Sequence, residues 1–159
     1  MAGGVVRVAS GKHTRREELE GVRQVSLAAL VMLVVQYALG SVLNLYIAIP
    51  ASDAHAGLMQ EIANGPLMLT VHALLGLALI GAALVLLVRA VRLEDRPMAV
   101  LAAAGLTAIG GAFASGEIFV RNGQSAASLA MALLTGVALL CYIAALTRVS
   151  VALRRRNPG

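Results

Sequence analysis

Six side chains in this sequence carry chemistry into places where hydrocarbon is expected: Gln36, Asn44, His72, Glu117, Ser128 and Met131. Each falls within or at the edge of an apolar run. A polar group in lipid is costly unless it finds a partner, so such residues are the first candidates for function. His72 is the pivot. An imidazole can ligate a metal, carry a proton or donate a hydrogen bond. Met131 offers a soft thioether, and His/Met is a known axial pair for iron in heme. Glu117 is an ionisable partner for a proton path. Gln36 and Asn44 are hydrogen-bonding groups that can join helices.

Spacing places these groups on helix faces. Gln36, Gly40 and Asn44 recur at intervals of four and share one face. Gly76 lies one turn after His72. Ala104, Ala108, Ala112 and Gly116 form a small-residue stripe, with Ser115 and Glu117 at its end. Ser125 and Ser128 precede Met131. At 1.5 Å per residue, Asn44, His72 and Met131 are each expected about 9 Å inside one end of their helices. One polar layer shared by several helices is therefore the expectation, with His72 bonded to Asn44 or Glu117. Each group also has a plainer role. Glu117 can pair with Arg121 one turn on, Met131 can be apolar filler, and the stripe can serve close packing. His13 and His55 flank the apolar runs and are given no role.

The elements that hold these residues follow from composition. Of 159 residues, 59% are hydrophobic and 13% charged, and the mean hydropathy is +0.84. That excludes a disordered chain and leaves too little polar surface to cover a soluble domain. The residues Gln24–Ser52, Ile62–Val88, Pro97–Gly116 and Asn122–Thr147 contain no Asp, Glu, Lys or Arg. Each is long enough to cross a hydrocarbon core as a helix, which satisfies its own backbone. The expected fold is all-α: an integral membrane antiparallel four-helix bundle, up-down-up-down, with spans at about 26–49, 66–89, 98–119 and 126–147. The third span is rich in Ala and Gly and is expected to depend on packing. Basic tails occupy 1–23 and 148–159. Thr14 and Glu17 have capping-box spacing, so a short helix over 14–23 competes with a mobile tail. The two halves do not align as a repeat.

Orientation follows from the basic residues. Arg7, Lys12, Arg15, Arg16 and Arg23 precede the first span. Arg89, Arg92 and Arg96 lie between the second and third, and Arg148, Arg154, Arg155 and Arg156 follow the fourth. Arg121 is alone on the other side. Both termini are expected in the cytoplasm, in a bacterial inner membrane. Ala54-His55-Ala56 has the form of a signal-peptidase site, but the run before it is too long for a signal peptide and reads as an uncleaved span. The net charge of +5 points to anionic lipid headgroups, not nucleic acid, because no basic stripe with interleaved aromatics is present. Cys141 is the lone cysteine and lies in an apolar run, which rules out an intrachain disulfide.

Val35-Gln36-Tyr37-Ala38-Leu39-Gly40 resembles the Q-x-x-L-G stretch of a first span in heme A synthase-like membrane proteins. Val71-His72-Ala73-Leu74-Leu75-Gly76 is similar to the histidine-led second helix of the same four-helix unit. The resemblance covers about a dozen residues. It implies heme b held near the outer face, with His72 as one axial ligand. The fourth helix has no histidine, and Met131 stands nearest the position of that family's second one.

Three functions are open at this point. The first is a structural or accessory membrane protein that associates with other helices, or with itself, through small-residue faces. The second is a b-type heme electron-transfer protein centred on His72 and Met131. The third is a proton-coupled transporter, acting as an oligomer, in which His72 and Glu117 titrate. No nucleophile–base set, phosphate loop or metal cluster is legible, so hydrolytic chemistry is not expected.

Overall fold

A computed structural model describes residues 3–46 and 67–156, with side chains from residue 15 to 155. Four helices account for them: α1 (Gly3–Tyr46), α2 (Leu67–Arg92), α3 (Arg96–Asn122) and α4 (Ser125–Arg156). No strand occurs among the described residues. Each helix contains a stretch long and apolar enough to cross a membrane. Packing is cyclic: α1 meets α2, α2 meets α3, α3 meets α4, and α4 returns to α1.

The helices start and stop where local chemistry dictates. Asp95 caps α3, its carboxylate accepting from the Met98 N–H at 3.1 Å, and Pro97 sits in the first turn. At the other end, Gly123 adopts φ 63° and its N–H bonds the Phe119 carbonyl at 2.8 Å. That left-handed residue stops the helix and turns the chain into α4 within two residues. Between α2 and α3, Glu94 also takes a positive φ of 55°. Arg148 of α4 pairs with Asp95 at 3.1 Å, tying the last helix to the α2–α3 turn.

One expectation needs adjusting. The N-terminal basic segment is not a short helix capped at Thr14, because α1 runs unbroken from Gly3 through both Thr14 and the expected boundary at residue 23. Helix propagation needs no new nucleus where a long apolar helix already anchors one end. Leu19 and Val22 are buried in the same core as Val149 of α4, so the basic end of the molecule is itself packed helix. At the other terminus α4 extends to Arg156.

The third helix behaves as its composition implies. It has the lowest mean hydropathy of the four, 1.7, and the largest buried share, 33% against 17–22%. Small residues make this closeness work. Gly105 lies against the ring of Tyr142, where a Cβ would stand 2.9 Å from Cε2. Tyr142, Leu86, Met98, Ala102 and Ala145 are almost fully enclosed around it.

Candidate functional site

Toward the α3–α4 turn, packing gives way to a cavity of about 350 Å3 lined by all four helices. Its floor is formed by the buried side chains Leu33, Leu79 and Ile109. Its other end reaches Asn44, Glu117 and Ser128. Eleven residues of α1 separate Leu33 from Asn44, a length of roughly 16 Å along the axis. On the scale where a dry cavity of about 150 Å3 takes up benzene, this one has room for roughly two such rings.

All six candidates, Gln36, Asn44, His72, Glu117, Ser128 and Met131, line this one cavity. Their pairings differ from the expected ones. His72 bonds neither Asn44 nor Glu117; its partner is Gln36. The Gln36 amide nitrogen donates to the His72 backbone oxygen at 2.9 Å and lies 3.3 Å from His72 Nε2. An atom held against a carbonyl must be the NH2, which fixes the amide orientation. Its second proton then points at Nε2, so Nε2 accepts and the imidazole proton sits on Nδ1. His72 Nδ1 and Gln36 Oε1 are both buried without a partner. Each such group costs about 1–3 kcal/mol relative to a satisfied one.

Asn44 instead accepts from Ser128 Oγ at 3.3 Å, near the ends of α1 and α4. Glu117 pairs with Arg121 at 2.8 Å, the plainer of the roles open to it. The single polar layer expected from residue counting is therefore two levels. His72 and Gln36 lie deeper, and Asn44 and Ser128 nearer the end.

Three glycines make the inner wall possible, and their partners were not legible from the small-residue pattern. A Cβ on Gly40 would stand 3.1 Å from His72 Cε1, and one on Gly76 would stand 3.3 Å from the Gln36 amide nitrogen. A Cβ on Gly116 would stand 3.3 Å from Met131 Sδ. The i, i+4 spacing that joins Gln36 to Gly40 and His72 to Gly76 is thus reciprocal: each helix offers a polar side chain and a gap for the other's. The signal was present as two matching pairs, but only packing α1 against α2 reveals it. The stripe on α3 is likewise reassigned. Ala108 is buried while Ala104 faces outward.

Heme can be tested against this geometry. His72 and Met131 do line the same space, but one imidazole nitrogen, Nε2, is held by Gln36 and the other, Nδ1, is enclosed beside Gly40 without a hydrogen bond. No nitrogen lone pair is presented to the cavity. A macrocycle of four pyrrole rings also exceeds room for roughly two benzene-sized groups. The residues as placed do not fit heme. Among the described residues, no cluster of three His, Cys, Asp or Glu could hold a metal ion. Cys141 is a free, half-buried thiol.

Comparison with known proteins adds no relative: no family model, no curated protein and no solved structure matches the chain.

Proposed function

We propose that the protein is an inner-membrane, four-pass helical bundle that takes a small amphiphile from the bilayer into its interior. The up-down-up-down arrangement, with both termini in the cytoplasm, rests on twelve of the thirteen basic residues falling on one side. That assignment puts the cavity in the outer half of the bundle. The observation that carries the reading is the cavity itself: apolar for most of its length, with a few polar groups gathered on its wall and at its end. Such a space matches small-molecule sites in character and lies at the lower end of their usual size. Close packing of the other half argues that the void is a feature of this end and not general looseness.

A direct test is mass spectrometry of molecules that co-purify with the full chain in lipid nanodiscs. Ala112 lines the cavity, and Ala112→Leu is expected to remove any bound amphiphile without unfolding the protein. An unchanged complement of bound molecules would contradict the proposal. Protein made with ample heme is expected to show no Soret band.

A second reading, an accessory protein that associates through a small-residue face, is favoured by a different surface. Ala103, Thr107, Gly110 and Ala114 form an outward stripe on α3. A Cβ on Gly110 would meet nothing within 4 Å, leaving space for a neighbouring helix. The Thr107 hydroxyl already bonds the Ala103 carbonyl at 3.0 Å, so the stripe presents no unpaired hydroxyl proton. Cysteine cross-linking at Thr107 in native membranes tests this. Absence of any cross-linked species would remove it.

A further inference from the structure

Resting on the cavity reading above, we infer that the occupant is an uncharged amphiphile, a lipophilic alcohol or carbonyl compound whose oxygen is received at Asn44. Charge sets the first part. Among the described residues that line the cavity, Glu117 is the one Asp, Glu, Lys or Arg side chain, and Arg121 pairs with it at 2.8 Å. Gln36, Asn44, His72, Ser128 and Thr135, which also line it, offer hydrogen bonds without formal charge. A carboxylate or ammonium head drawn into this space would lose its water without gaining an opposite charge, which strongly disfavours it.

The second part is set by hydrogen-bond valence. Asn44 spends its carbonyl oxygen on the Ser128 hydroxyl. Its amide nitrogen carries two protons, and Asn44 is exposed at the end of the cavity. That nitrogen is a donor and calls for an acceptor. A hydroxyl or carbonyl oxygen supplies one; a hydrocarbon does not. Below it the wall is mostly apolar down to Leu33, Leu79 and Ile109, interrupted by the Gln36–His72 pair, whose amide protons are already spent, and by Thr135, whose hydroxyl bonds the Met131 carbonyl. By the benzene scale the cavity holds roughly a dozen non-hydrogen atoms. A ten-carbon isoprenoid with one oxygen matches that size.

Deciding the matter takes four probes of one skeleton: geraniol, geranial, geranic acid and geranylamine, with the parent hydrocarbon as control. Each is titrated at pH 7 into the full chain in phosphatidylcholine nanodiscs, with 15N-asparagine labelling. Four asparagines are present, and Asn44→Ala assigns the side-chain signal of interest. Geraniol and geranial are expected to shift the Asn44 amide and to bind about tenfold more tightly than the hydrocarbon. The acid and amine are expected to bind at least tenfold more weakly than the alcohol. In Asn44→Ala the alcohol is expected to fall to the hydrocarbon's affinity. Binding of the hydrocarbon as tightly as the alcohol would overturn the headgroup assignment and leave the cavity reading intact. Preference for the acid or the amine would overturn the inference that the occupant is uncharged. No saturable binding of any probe would overturn the cavity reading together with the inference.

Discussion

The two halves of this molecule are built from the same four helices and pack in opposite ways. Around the α2–α3 turn, Val22, Ala83, Leu86, Ala90, Met98, Ala102, Ala145 and Val149 are all almost completely enclosed. Toward the α3–α4 turn, enclosure thins to a few residues such as Leu43, Leu69 and Ala127. On α3 no residue after Ile109 is buried, although the helix continues to Asn122. Hydrophobicity does not explain the contrast, since Leu, Ile, Phe and Ala line the open half too. What differs is how space beside the small residues is used. In the closed half the space beside Gly105 is filled by the ring of Tyr142. In the open half the space beside Gly40, Gly76 and Gly116 is taken by His72, Gln36 and Met131. Imidazole and amide groups must align to bond, so they cannot spread to fill a core as aliphatic chains do. In lipid, where helix association depends on contact and not on expelling water, unfilled volume directly forfeits cohesion.

Truncation should separate the halves most strongly. Leu86→Ala, in the closed half, is expected to lose about 2–5 kcal/mol in reversible unfolding by sodium dodecyl sulfate. Leu43→Ala, on the cavity wall, should fall at the low end of that range, because its side chain already borders a void. Equal losses would mean that the void does not exist in the bilayer. Enlargement gives the converse test. Ala102→Leu has no space to enter and should cost about 1–3 kcal/mol. Ala112→Leu, ten residues along the same helix, should change stability by less than about 1 kcal/mol while blocking the cavity.

Removing the polar pair sharpens the comparison further. Gln36→Leu deletes the donor to the His72 backbone oxygen and leaves Nε2 unpaired, for an expected loss of about 1–2 kcal/mol in the same assay. The His72 15N spectrum should then show both tautomers, where the native chain is expected to show the Nδ1–H form alone. A native spectrum with the proton on Nε2 would refute the pairing. The smallest effect belongs outside both halves. Gly123→Ala forces a Cβ into the left-handed region at φ 63° and should cost about 1 kcal/mol by the same measurement, with no effect on ligand binding.

Much of the site was legible residue by residue, and little of it contact by contact. Each of the six polar candidates could be found because polar groups are conspicuous against apolar runs, and all six line one cavity. The Glu117–Arg121 pair could also be found, because partners four apart on one helix are positioned by the helix alone. His72 with Gln36 and Asn44 with Ser128 could not. Each joins two helices, and the axial offset between helices depends on which knobs enter which gaps. Counting from presumed helix ends carries an error of a few residues.

Composition and length alone dictate four apolar helices with charged ends, because a backbone in hydrocarbon satisfies its hydrogen bonds only as helices or closed barrels, and these runs lack the alternating polarity of barrel strands. No folding of the chain could alter that. Tertiary packing decided which small residues became seams and which became receptacles. It also decided that the imidazole of His72 turns toward an amide and not toward open space. The reason is that a helix presents its side chains by a rule the sequence contains, whereas the rotation and slide of one helix against another are settled only by fitting both surfaces together.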